Sequence, residues 1–401
     1  MILDKFINSW NTPILYAHNI PSLHDYIDTE SNKHLQLAIL MSIGTYVSSK
    51  KSFDAVISDI SKLEGKFPAI YIDSGGFQYL KGTLKKKDID KHTKFYFDFI
   101  DYIVKRYSNN DITTPIFIFS LDIPGCRTSN SDDVVDNESG FNASYSIYEE
   151  IARRYKEDPI QRQILICVTH FSTNEVYSRW KKIYSIKNLN LAEYVAGSST
   201  QFVHKKTVPL GGYNVLHMLA LRIHGFNNVK LYHLLGTRSL DRLYPIFDVS
   251  RRFNIRITHD STPNFYYRDI IIPIRLSNQK YRITKLDPRY NKPQIIRSAN
   301  DIYRNDNVTK TVEKILDELA NITDKEKLRK TNLKASSLNY LAAIEAIATA
   351  MTNKVIDNIT NDIYAESNID KLTQYKLIDL CEHEPEACEK MITSVLDKFV
   401  G

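Results

Sequence analysis

Cysteine is scarce and scattered in this chain. Its four copies, Cys126, Cys167, Cys381 and Cys388, show no framework spacing among 401 residues. That excludes a disulfide scaffold and suits a reducing compartment. No apolar run approaches the ~18 residues of a membrane-spanning helix, so no membrane partner is expected. The start, Met1-Ile2-Leu3-Asp4-Lys5, lacks a basic segment followed by an apolar one. No signal peptide is read there, and a cytoplasmic location is expected. Internal repeats and low-complexity segments are absent as well. So is the phosphate-binding glycine fingerprint that usually follows the first strand of a doubly wound dinucleotide-binding sheet.

What is present suits a globular protein. Hydrophobic residues make up 43% and charged residues 25%, enough for a sizeable core and a soluble surface. The length allows one large domain plus a smaller one. The formal net charge of +6 is mildly basic and does not by itself identify a nucleic-acid partner. Clusters such as Lys85 to Lys87, Arg153-Arg154 and Lys205-Lys206 read first as solvated faces. Some of the 25 tyrosines could stack on bases.

From about residue 37 to 270, short apolar runs alternate with helical periodicity. The strand candidates are Leu37 to Tyr46, Ala69 to Ile72, Pro115 to Leu121, Ile164 to Val168, Tyr194 to Ala196, Val229 to Leu235 and Ile255 to Thr258, with an eighth near Pro13 to Tyr16. Between them Phe95, Phe99, Tyr102 and Ile103 share a helical face, as do Tyr148, Ile151, Ala152 and Tyr155. Ser172 and Glu175 form a candidate capping box for a helix carrying Val176 and Trp180. Repeated strand–helix alternation implies parallel strands with crossover helices. The expected fold is an α/β (β/α)8 barrel, with an open doubly wound sheet as the alternative. After about residue 285 the pattern turns helical, through Val312, Ile315, Leu316 and Leu319, then Leu338, Leu341, Ile344 and Ile347. The expected division is a catalytic barrel over 1–285 and a mainly helical appendage over 286–401.

Three expected strands end in aspartate. Asp73 opens the run Asp73-Ser74-Gly75-Gly76-Phe77-Gln78; Asp122 precedes Ile123-Pro124-Gly125; Asp260 precedes Ser261-Thr262-Pro263. Any one of them reads equally as a structural turn. In a barrel, all three would meet at the carboxyl ends of the strands, where chemistry collects. Adjacent glycines bring bare backbone close to a planar ligand, and Phe77 could lie on its face. Clustered carboxylates suit a divalent metal, with His170 and His259 as further ligands. They equally suit glycosyl transfer, with one acid as nucleophile and another as acid/base. A third carboxylate could accept from the N–H and NH2 edge of guanine.

The first of these runs resembles the Asp-Ser-Gly-Gly-aromatic-Gln signature of the queuine/archaeosine tRNA-guanine transglycosylase superfamily. Leu121-Asp122, Ala196-Gly197-Ser198-Ser199, Leu234-Leu235-Gly236 and Asp260 follow in matching order over about residues 69 to 265. The resemblance implies that Asp260 attacks C1′ of a guanine nucleoside and that Asp73 protonates the departing base and deprotonates the incoming one. Asp122 would grip the guanine edge, Gly197 and Ser198 would offer backbone groups, and Phe77 and Leu235 would sandwich the ring. Ser74, Gly75, Gly76 and Gly236 would complete the base pocket. Two departures stand out. Val168-Thr169-His170 replaces a run in which the family has a base-contacting glutamine, leaving Thr169 or His170 as its substitute. The family's zinc motif, Cys-x-Cys-x-x-Cys with a later His, is absent after Asp260; Cys381-x-His383 with Cys388 has the wrong spacing. No cofactor is therefore expected.

A missing zinc module and a divergent helical tail point to the DNA-acting branch of the superfamily, found in bacteria and bacteriophages. The resemblance then implies exchange of guanine in DNA for a 7-deazaguanine such as 7-cyano-7-deazaguanine (preQ0), in the host cytoplasm if the gene is viral. The partners would be DNA and the free base, with helper proteins and oligomeric state left open. The alternatives are the same chemistry on tRNA, a non-catalytic nucleic-acid-binding paralogue, and a metal-dependent barrel hydrolase.

Overall fold

The computed structural model describes residues 15–18, 38–65, 69–125, 133–171, 174–198, 212–235, 253–260, 270–275, 281–286, 291–297 and 380–400, with scattered positions over 310–321. Each expected strand position carries a strand. They are β1 (Leu15–His18), β2 (Ile39–Ser42), β3 (Ile70–Asp73), β4 (Ile116–Phe119), β5 (Leu165–His170), β6 (Tyr194–Ser198), β7 (Leu231–Leu235) and β8 (Arg256–Asp260). The Leu37 to Tyr46 run divides: β2 stops at Ser42, and helix α1 (Ile43–Ser48) takes over. Ser42 pairs with Asp73, the last residue of β3. Beyond that pair the ladder has no partner on this side, and the chain satisfies its backbone by coiling.

From β2 to β8, seven strands pair in sequential order and all in parallel. This is a curled parallel sheet of an α/β fold, with every strand ending on the same edge. β1 pairs in parallel with β2 through Ala17 and Ile39, and with β8 through Tyr16 and Asp260.

The helices between strands are α2 (Phe53–Leu63), α3 (Gly76–Leu80), α4 (Ile89–Ser108), α5 (Asn137–Glu157), α6 (Pro159–Ile164), α7 (Asn174–Tyr184) and α8 (Gly212–Ile223). Three of them start on an ordinary cap: the Ser52, Asp136 and Asp158 side chains accept from Ala55, Ser139 and Ile160 N–H. The expected α5 stripe, Tyr148, Ile151, Ala152 and Tyr155, is buried. The α4 stripe is rotated from expectation: Tyr96, Phe99, Ile100 and Ile103 are buried, whereas Phe95 and Tyr102 are only half so. Those two rings pack edge-on against Phe53 of α2 instead, at 5.5 and 5.8 Å.

Aromatics from several strands meet on the concave side of the sheet. Tyr71 stacks on Phe117 at 4.9 Å, Phe117 meets Tyr194 edge-on at 5.7 Å, and Phe119 meets His233 at 4.9 Å. These side chains pack beneath the carboxyl ends of the strands.

After β8 comes an antiparallel hairpin, β9 (Ile270–Arg275) with β10 (Tyr281–Leu286). The sequence reading missed it, because Ile270-Ile271-Ile272-Pro273 lacks polar alternation and carries a proline. The expected boundary at 285 falls inside β10. Near the C-terminus, α9 (Pro385–Val400) packs on α7 and α8. Asn174 donates to the Thr393 carbonyl at 3.1 Å, Lys181 pairs with Glu389, and the Cys381 thiol donates to the Leu219 carbonyl at 3.6 Å. Cys167, Cys381 and Cys388 are buried and in no disulfide. The expected helix through Leu338 and Ile347 and the Ser172 cap lie outside the described residues. Among the described residues no helix is long and apolar enough to cross a membrane.

Candidate active site

Asp73 closes β3, half-buried, and the chain turns at once through Ser74 and Gly75. Gly75 has φ +97°, a left-handed conformation that only glycine adopts without strain. It also lies directly against Gly44 of α1: a Cβ on Gly44 would stand 2.5 Å from Gly75 Cα and 2.8 Å from Gln78 Oε1. Two turns thus touch backbone to backbone. Gly44 was missed in the sequence, where a lone glycine in an apolar run gives no signal. Phe77, the exposed large hydrophobic residue of the described set at 41%, carries the Lys81 ammonium 4.3 Å from its ring centroid.

Behind this turn stands His92 of α4, fully buried. Its Nε2 lies 2.8 Å from the Ser74 carbonyl and its Nδ1 3.2 Å from the Tyr79 hydroxyl. A carbonyl only accepts, so Nε2 carries the proton and Nδ1 accepts from Tyr79. Burial pushes the His92 pKa down to about 4, so the ring is neutral near pH 7.

Asp122 reaches the same turn from β4. A closed set of bonds fixes the strand's end. Val168 N–H donates to Ser120 Oγ at 2.7 Å, Ser120 Oγ meets Tyr148 OH at 2.8 Å, and Tyr148 OH donates to the Val168 carbonyl. Helix α5 then holds the following loop, with Ile123 N–H donating to Ser144 Oγ at 2.9 Å. Asp122 is 8% exposed and its Oδ2 lies 2.7 Å from His170 Nε2. A Cβ on Gly76 would stand 2.6 Å from Asp122 Oδ1, so the second glycine is what lets this carboxylate in. His170 itself packs edge-on against Trp180 of α7 at 4.7 Å.

Thr169 and His170 point to opposite sides of β5, as strand alternation requires. Thr169 turns to the helix layer, where its hydroxyl lies 2.7 Å from His217 Nε2. His217 Nδ1 is 2.6 Å from Tyr232 OH, and Tyr184 OH donates to the His170 carbonyl at 3.0 Å. Burial pushes His217 down to about 3, so it too is neutral. Gly197 is packed against this network, and a Cβ there would collide with Tyr232 OH and the His217 ring. Neither His92 nor His217 was singled out in the sequence, because nothing local marks a histidine that acts on a strand remote in sequence.

The remaining candidates are strand-end positions. Ser198 pairs with His170 on one side and Leu235 on the other, and Leu235 is half-buried. Asp260 is the last residue of β8 and pairs with Tyr16; Thr258, two residues earlier, is buried with its hydroxyl 2.8 Å from His233 Nδ1. Gly236 and the side chains of Ser198, His259 and Asp260 lie outside the described residues. Asp122 is therefore brought against Gly76 and His170, with Asp73 and Phe77 flanking the glycine turn in the chain; Gly197, Ser198, Leu235 and Asp260 lie along the same edge of the sheet, and Thr169 is turned away behind it. Among the described residues no three His, Cys, Asp or Glu side chains group as a metal site.

Comparison with protein-family models finds no match for the chain, and no curated protein matches it. What the structure offers is two carboxylates beside a glycine turn, an exposed phenylalanine next to it, and a third acid at a strand end on the same edge.

Proposed function

We propose that this chain is a (β/α)8-barrel transglycosylase that exchanges guanine in DNA for a 7-deazaguanine base. The carrying observation is the approach of Asp122 to the Asp73-Ser74-Gly75-Gly76 turn, made by two segments that the resemblance assigns to one base pocket. The β1 pairings with β2 and β8 support the barrel, whose strand ends would then form one mouth.

In the proposed mechanism the Asp260 carboxylate attacks C1′ as the C1′–N9 bond breaks, forming a glycosyl ester. The electron pair leaves on N9, and Asp73 donates its proton there. The incoming base gives its N9 proton back to Asp73, its nitrogen attacks C1′, and the ester bond breaks. Two displacements retain the anomeric configuration. Asp122, an acceptor in a buried setting, suits the N–H and NH2 edge of guanine. The target base must first leave its stack, at a cost of a few kcal/mol. Nucleoside mass spectrometry of DNA and tRNA from cells expressing the protein with a supply of 7-deazaguanine tests the reading. A modified deoxynucleoside is expected; modification confined to tRNA would overturn the choice of DNA.

A further inference from the structure

The His170–Asp122 pair is a second feature of this pocket, and the resemblance does not supply it. Both groups are buried, at 7% and 8% exposure, and the Nε2–Oδ2 distance is 2.7 Å. An ionised carboxylate only accepts, so Nε2 carries the hydrogen. The rest of the environment fixes His170 rather than the ligand: Trp180 packs against its ring, and Tyr184 OH holds its carbonyl. A Cβ on Gly76 would stand 2.6 Å from the other oxygen of Asp122, so the glycine is what leaves room beside it. The bond from His170 holds the carboxylate from one side and leaves its remaining lone pairs to accept.

We propose that His170 is a positioning residue that fixes the Asp122 carboxylate as an acceptor for a donor–donor edge, the N–H and exocyclic NH2 of a 2-amino-6-oxopurine or its 7-deaza analogue. This rests on the base-exchange reading and names what the site discriminates. His170 does not take the place of a base-contacting glutamine; it acts through Asp122. A base lacking the exocyclic NH2, such as hypoxanthine, would forfeit one bond to a fixed acceptor.

Three variants test this in the full chain: His170→Phe keeps a ring on Trp180 without a donor, His170→Gln restores a donor, and Asp122→Asn alters the acceptor. Thermal unfolding checks that each folds. Calorimetry with free 7-deazaguanine and hypoxanthine, together with exchange kinetics, gives the readout. In His170→Phe, binding of 7-deazaguanine should weaken at least about tenfold, with kcat at saturating base within about threefold. His170→Gln should recover most of that loss. Asp122→Asn should erase the preference for 7-deazaguanine over hypoxanthine. Base binding unchanged in His170→Phe, in an enzyme that exchanges bases, would overturn the positioning role alone. Failure of His170→Gln to rescue a folded protein would overturn it too. A wild-type protein that binds neither base would overturn the base-exchange reading and this inference together.

Discussion

The two glycine segments at the strand ends are built in different ways. At Gly75 the constraint is backbone: a left-handed residue pressed on Gly44, with Asp122 against the next glycine. At Gly197 it is a buried polar network, Thr169, His217 and Tyr232, drawn from β5, α8 and β7. Each has a neutral histidine behind it, His92 on the Ser74 carbonyl and His217 between two hydroxyls. The first turn therefore depends on shape that no side chain can replace. The second depends on hydrogen bonds that must all be satisfied at once.

Among the substitutions, Gly75→Ala should have the largest effect. Left-handed strain and a backbone collision add to about 3–5 kcal/mol, read as a lowered denaturant midpoint, and nothing nearby can relieve it. Acidification should act on both segments at once. His92 and His217 have folded pKa values of about 4 and about 3, below the ordinary 6.5. Above pH 6.5 their contribution is intact. As pH falls from 6.5 towards 4 the unfolded chain takes protons that the folded chain refuses, so stability falls by up to ~1.4 kcal/mol per pH unit for each. His217 extends the loss to about pH 3. Denaturation at a series of pH values should show this slope, flattened in His92→Phe over the upper window and in His217→Phe over the whole.

Gly197→Ala should cost less, about 1–3 kcal/mol from overpacking. Because the collision involves the Tyr232 hydroxyl, Tyr232→Phe should offset part of it, and a double-mutant cycle should be clearly non-additive. Additivity would remove the contrast with Gly75. The smallest stability effect belongs to Phe77→Ala, within about 0.5 kcal/mol for an exposed residue, while base binding should weaken if the ring stacks on the ligand. Unchanged base affinity would leave Phe77 without a role in the pocket.

What was legible in the sequence follows the same contrast. Most of the strand positions could be read because Ile- and Val-rich runs are bounded by turn residues. The Asp73 turn could be read because its residues are contiguous. Gly44, His92 and His217 could not: each acts on a residue that is distant in the chain, and only the fold brings them together. Thr169 and His170 were interchangeable in sequence. Strand alternation separates them, one to the helix layer and one to Asp122. The hairpin after β8 escaped because an isoleucine run interrupted by proline has no period to follow.

The most direct test is a reaction in vitro: purified protein, guanine-containing DNA and an isotope-labelled 7-deazaguanine base, followed by nucleoside mass spectrometry. Label should appear in a deoxynucleoside with the wild-type chain and be absent with Asp260→Asn, whose fold is checked by thermal unfolding. A folded Asp260→Asn that still transfers label, or a wild-type chain that transfers none to DNA, would contradict the proposed function.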